Sequence, residues 1–352
     1  MPSRSPYFVG PVVDTALIGG LSILTALGFW ALQASGHALP GPPLAAGLAW
    51  VVNWPHFSAS SYRLYHTKAN IAQYPVTALA IPALITMAVV GSFFAPTTAG
   101  AALIKLYLLW SPYHFSGQSL GITLIYARRA GLVIGRLERY VAAMFFFAGY
   151  FRLVFNQESA TGVEQLGAIG YPLFGVPPWL AEGALGIQLI FGLGLLVLLA
   201  RRGATSPIIF LPALTQLVWF EAGARIPQYN WLVPFFHSLQ YLLIAWAMQL
   251  KERRNAVGAA PPARFVLRES LRWAALNVAG GAFLFLLLPG AARLAGVPAV
   301  AAVPILFAAV QIHHFFVDGV IWKLRNPRVG PSLLVDLRDL TAPAPAVKGS
   351  EA

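Results

Sequence analysis

Ten apolar runs, each about long enough to cross a lipid bilayer, constrain this chain more than anything else in it. They fall near residues 11–34, 41–62, 74–95, 98–126, 140–157, 183–200, 206–224, 230–250, 273–290 and 298–322. A crossing helix needs roughly 20 mostly apolar residues, because it rises about 1.5 Å per residue through a hydrocarbon core about 30 Å thick. The predicted fold is all-α: a polytopic transmembrane helical bundle of about ten spans over residues 1–339. An Ala/Pro-rich, disordered cytoplasmic tail is predicted for 340–352. The chain is 58% hydrophobic and 10% charged, against about 25% charged in soluble domains, so the lipid bilayer is its expected partner. The first run is read as a retained helix, since Asp14 interrupts it and no small-residue cleavage site follows.

The basic residues give these runs a direction. With the N-terminus in the cytoplasm, 20 of the 24 Lys and Arg residues fall in predicted cytoplasmic segments. Arg225 and Arg293 lie on the opposite side, and Lys105 and Arg152 fall inside predicted spans. This is the bias of the positive-inside rule, and it predicts an inner-membrane protein with both termini cytoplasmic. The net charge of +12 is therefore read as topology-setting. Nucleic acid is not an expected partner, because the charges end apolar runs and are not interleaved with aromatics on one face. Residues 158–182, rich in Gly and Pro, are expected to form a longer outer loop over a cavity mouth, and 255–263 a linker.

Chemistry is carried by histidine. The chain has no cysteine, which removes thiolate metal sites, iron–sulfur clusters and cysteine nucleophiles. It also has no phosphate-binding Gly-rich loop ending in Lys-Ser/Thr and no serine nucleophile elbow. His37 and His66 are assigned to solvent, whereas His56, His114, His237, His313 and His314 lie within predicted spans. Ionisable residues in a membrane are rare and face the bundle interior. All five lie on runs predicted to cross from outside to inside. His56, His114 and His313 are roughly 13–16 residues deep, or about 20–24 Å, and His237 about 7. Imidazoles arriving at one depth from several helices suit a metal, with non-haem Fe(II) preferred. The plainer reading of any one of them is an interhelical hydrogen bond.

Polar residues follow the histidines at helical spacing. Gln118 is four residues after His114, Gln240 and Tyr241 three and four after His237, and Asp318 four after His314. These can hold ligand rings in place. Asp318 can equally pair with Lys323 or Arg325. Glu221 and Arg225 read as an interfacial ion pair. A short echo relates Asn53-Trp54-Pro55-His56-Phe57-Ser58 to Trp110-Ser111-Pro112-Tyr113-His114-Phe115-Ser116.

The histidine blocks, in order, resemble those of the Brp/Blh-type membrane β-carotene 15,15'-dioxygenase family. The resemblance rests on Pro55-His56, His114-Phe115, His237-Ser238, and His313 to Asp318 with Ile321-Trp322-Lys323-Leu324-Arg325. It covers 50–328 as short blocks only. It implies His56, His114 and His237 as metal ligands, with His313 or His314 a possible fourth. It also implies iron-dependent use of O2 on a carotenoid or another apolar lipid, in a tunnel lined by Phe57, Trp110, Tyr113, Phe115, Phe236, Tyr241 and Phe315. The family's second histidine in the third block is replaced here by Tyr241, which is expected beside the metal with its hydroxyl on a metal-bound water, the metal or Gln118. Tyr241, Gln118 and Asp318 are thus the candidate catalytic residues. Two other functions fit the histidines: a haem- or quinone-binding electron-transfer subunit, and a proton-coupled transporter with helices broken near Pro55, Pro112 and Pro234.

Overall fold

A computed structural model describes residues 5–257 and 264–322. The predicted tail, residues 258–263 of the linker, and Lys323 and Arg325 lie outside the described residues. The described residues are about 81% helical with almost no sheet. Each of the ten apolar runs holds a long helix. These are α1 (Pro11–Ala34), α2 (42–65), α3 (Val76–Phe94), α4 (96–129), α5 (Arg136–Gln157), α6 (Pro178–Arg201), α7 (Leu211–Arg225), α8 (Val233–Val257), α9 (Phe265–Leu294) and α10 (Ala299–Ile321). Among the described residues, six helical segments are long and apolar enough to cross a membrane: α1, α3, α6, α9, α10 and Pro227–Val257, which contains α8. The others are shorter or more polar. Helix α7 has 15 residues, and α2 and α4 carry His56, Ser58, Ser60, Lys105, His114 and Gln118.

Proline shapes three of the helices in one way. Pro55, Pro82 and Pro289 each stand two residues after a single wide turn: Ala49–Asn53, Val76–Ala80 and Phe283–Leu287. A proline has no N–H for the carbonyl four residues back, and its ring collides with that carbonyl. Each helix responds by moving one hydrogen bond to the residue five back: Trp54 to Ala49, Ile81 to Val76 and Leu288 to Phe283. Helical hydrogen bonding then continues. The breaks expected near Pro55 and Pro112 are absent, because Pro55 is absorbed by its wide turn and Pro112 lies inside the α-helical stretch Ala101–Arg129. Pro234 sits in the first turn of α8, where a missing N–H costs nothing.

The segment expected to be an irregular outer loop is instead largely a β-hairpin. Strands β1 (Thr161–Leu166) and β2 (Ile169–Phe174) pair antiparallel around Gly167-Ala168, with Gly167 at φ 63°. A two-residue turn opening on a left-handed glycine matches the twist of paired strands. Leu166, Ile169, Tyr171 and Leu173 pack on Val89, Ile104 and Ile305. The hairpin is pinned to α4 by Lys105, whose Nζ lies 2.5 Å from both carboxylate oxygens of Glu158. Burial and the hydroxyl's hydrogen bond to Glu164 raise the Tyr171 phenol above its ordinary range.

Two other charged residues of the apolar runs are accounted for in the same way. Asp14 is fully buried and accepts from the N–H groups of Phe8, Val9 and Gly10 and from the Tyr126 hydroxyl. Arg152 pairs with Glu221 at 3.0 Å and Glu182 at 3.1 Å. The expected Glu221–Arg225 pair is present at 2.8 Å.

Candidate metal centre

Four helices each deliver one histidine to a single point. The ligand-capable nitrogens of His56 (α2), His114 (α4), His237 (α8) and His314 (α10) all lie within 4.8 Å of one another. Nε2 of His314 is 2.8 Å from Nε2 of His56 and 3.1 Å from Nε2 of His114. The ring of His237 closes the fourth side, with centroids 5.1 Å from His56 and 5.0 Å from His114. His237, placed shallower than the others by counting, stands in the same layer.

These nitrogens do not satisfy one another. A ring nitrogen offers one hydrogen or one lone pair, so Nε2 of His314 can complete only one of its two contacts. Both nitrogens of His237, and Nδ1 of His56 and His314, have no hydrogen-bond partner among the described residues. Leaving a buried polar group unpaired costs about 1–3 kcal/mol. The two short separations, from His314 to His56 and to His114, are close to those around one ion: nitrogens about 2.1 Å from a metal are about 3.0 Å apart at right angles and about 3.4 Å apart at tetrahedral angles. The rings are steered mainly by packing. His56 is held edge-on between Phe57 and Tyr241, at centroid distances of 5.2 and 4.1 Å, and His114 stacks on Phe315 at 4.7 Å.

His313 is not part of this group. Neighbours on a helix point about 100° apart, and the His313 ring stacks on Tyr65, with Nε2 3.1 Å from its hydroxyl.

One helical turn further along each of the four helices lies a polar residue: Ser60, Gln118, Tyr241 and Asp318. Three of them form a connected layer under the histidines. Ser60 Oγ donates to Asp318 Oδ1 at 2.8 Å and is 2.5 Å from the Tyr241 hydroxyl. Trp322 Nε1 donates to the same carboxylate oxygen at 3.2 Å. The other oxygen, Oδ2, is 3.4 Å from Nε2 of His314 and 3.7 Å from Nε2 of His114. Tyr241 thus lies beside the cluster, but its hydroxyl is engaged by Ser60 and not by Gln118. Gln118 donates to the backbone carbonyl of His237 at 2.9 Å and to Gln240 at 3.3 Å. Ser60 was not among the candidates read from the sequence, although it stands at the same i+4 offset from His56 that singled out the other three.

Two cavities meet at the cluster. One, of about 310 Å³, is lined by Trp110, Tyr113, His114, Gln118, Tyr241, Phe315 and Asp318. The other, of about 190 Å³, is lined by Phe57, His114, Phe115, His237, His314 and Phe315. Six of the seven aromatics expected around a tunnel line one or the other. Phe236 does not, and packs instead with Phe29, Trp219 and Tyr229.

No protein-family model, curated protein or solved structure matches the chain.

Proposed function

We propose that this is a membrane-embedded, histidine-ligated metalloprotein that oxidises an apolar lipid with O2. The observation that carries the reading is the convergence of four imidazoles on one point, where the Nε2 atoms of His56, His114 and His314 crowd together and neither nitrogen of His237 has a partner among the described residues. His56, His114, His237 and His314 would hold the ion, with Asp318 close enough to two of them to act on the same site. An all-nitrogen set with a nearby carboxylate and no thiolate suits non-haem iron, which when bound supplies redox chemistry with O2 on a conjugated double bond. The order of the histidine blocks supports a carotenoid-type substrate by its likeness to the Brp/Blh-type enzymes, with His314 taking the place left by Tyr241.

The chain's own residues have separable tasks in this reading. Trp110, Tyr113 and Phe315 present flat apolar walls to a long molecule lying past His114. Ser60 and Trp322 fix the Asp318 carboxylate and aim Oδ2 at the histidines. Tyr241 braces the His56 ring and closes the site toward α2. Burial keeps bulk water away from the reacting atoms.

The close ring packing favours an ion over a haem, since centroids 4.4–5.1 Å apart leave no room for a macrocycle. Of the three helix breaks that would suit a transporter, helical hydrogen bonding continues through Pro55 and Pro112, and the chain turns only ahead of Pro234, between Asn230 and Val233. The site-bearing helices α2, α4, α8 and α10 are read as parallel crossings within a ten-span, inner-membrane bundle with cytoplasmic termini, which the loop charges support. The test is oxygen consumption by detergent-purified protein loaded with Fe(II) and given β-carotene or a shorter apocarotenoid. The reading expects iron-dependent loss of the polyene absorbance, abolished in His237→Ala. Polyene loss that persists in His237→Ala, or none with any polyene offered, contradicts it.

A further inference from the structure

His313 and His314 are adjacent on α10 yet serve different spaces. His313 lines a separate lateral cavity of about 620 Å³ between α2, α3, α9 and α10. That is within the roughly 300–1,000 Å³ that holds a small molecule. Its walls are almost wholly apolar, with Ile85, Val89, Leu288 and Leu306 among them. The polar side chains in this lining are Ser61, Thr86, whose hydroxyl is spent on the Pro82 carbonyl, and the pair Tyr65 and His313.

The proton positions of that pair follow from one proline. The Tyr65 hydroxyl has a single hydrogen and donates it to the Ala78 carbonyl at 3.1 Å. In an α-helix that carbonyl would accept from residue 82, which is Pro82 and has no N–H. His313 Nε2 lies 3.1 Å from the same hydroxyl. With the hydroxyl proton already used, Nε2 must be the donor, and the lone pair of the neutral ring sits on Nδ1. The ring's one side-chain hydrogen bond among the described residues runs through Nε2.

We propose that this cavity is a second ligand site, which binds a neutral lipid alcohol through donation of its hydroxyl to His313 Nδ1. A fixed acceptor in apolar surroundings selects a donor head group. Hydrocarbons, ethers and ketones have no proton to give, and charged head groups would be stranded. Phe57 contributes to the walls of both this cavity and the smaller one at the histidine cluster, so its ring divides the two spaces. The site does not depend on the metal reading.

The experiment compares binding of a C20 isoprenoid alcohol and its methyl ether to the full-length, detergent-purified protein, each tritiated. The alcohol should bind about tenfold more tightly than the ether. His313→Phe should erase that preference while bound metal stays unchanged. Ala292→Phe, which fills the cavity from α9, should weaken both ligands. His237→Ala, which disables the metal centre, should leave the preference intact. Equal binding of alcohol and ether to the wild type would overturn the proposal and mark the cavity as a seat for any acyl chain. A preference that survives His313→Phe, or alcohol binding untouched by Ala292→Phe, would overturn it as well.

Discussion

The buried Lys105–Glu158 pair and the four-histidine cluster are both polar islands in an apolar bundle, and they are built on opposite terms. Lys105 meets both oxygens of Glu158, and one of those oxygens also accepts from the Phe174 N–H at 3.2 Å. The lysine head lies 4.4 Å from the Phe174 ring centroid and gains a cation–π contact. The histidine cluster leaves four ring nitrogens without partners among the described residues. The first arrangement is complete as it stands and ties a hairpin to a helix. The second sets three Nε2 atoms against one another, more than they can pair among themselves, and leaves both nitrogens of His237 unpaired. Burial of ionisable groups in a membrane protein is therefore not by itself a sign of a site; unmet bonding capacity is.

Substitutions can break this contrast. The largest effect on stability is expected at the satisfied island. Glu158→Ala leaves the Lys105 charge buried and unpaired, which costs about 3–5 kcal/mol. Thermal unfolding in detergent should show that loss, while the metal bound per folded chain stays unchanged. A fall in metal content proportionate to the loss of stability would erase the distinction between the two islands.

A smaller effect of opposite sign is expected at the cluster. His237→Leu removes two unpaired buried nitrogens and keeps an apolar side chain in place. In metal-free protein it should raise stability by about 1–3 kcal/mol, and it should abolish metal binding. Loss of stability in the metal-free state would mean that His237 is an ordinary packing residue.

The smallest effect belongs to the layer beneath the histidines. Ser60→Ala removes one of the two donors to Asp318 Oδ1 and frees the Tyr241 hydroxyl. Metal affinity should fall roughly 10–100-fold, the usual cost of losing a ligand's support, with little change in fold by circular dichroism. Unchanged affinity would reduce the Ser60–Tyr241–Asp318 layer to helix packing.

How much of this was legible follows from how each signal is encoded. The helices were, because apolar length is written directly in the residues, and the wide turns leave it intact. The histidine layer was nearly so. Four helices brought His56, His114, His237 and His314 together, and the i+4 rule pointed to Tyr241, Gln118 and Asp318. Separating His313 from His314 needed the rotation of α10 about its axis, which adjacent histidines in an apolar helix do not reveal. Ser60 carried the right offset and was overlooked because serine is common in helices and bonds locally. Depth counting places His237 too shallow because the apolar segment begins with the short helix Pro227–Asn230, ahead of the run counted from residue 230. The hairpin is hidden by its prolines and glycines, which read as a loop until Gly167-Ala168 is seen as a two-residue turn between Leu166 and Ile169.

Metal analysis of the purified protein tests the central claim most directly. The account predicts close to one equivalent of a transition metal per chain in protein prepared without chelator. X-ray absorption of that metal should show imidazole nitrogens at about 2.1 Å. Both signals should vanish in a His56→Ala, His237→Ala double variant that remains folded and monodisperse in detergent. Protein that takes up no metal even when Fe(II) is supplied, or a double variant that holds as much metal as the wild type, would contradict it.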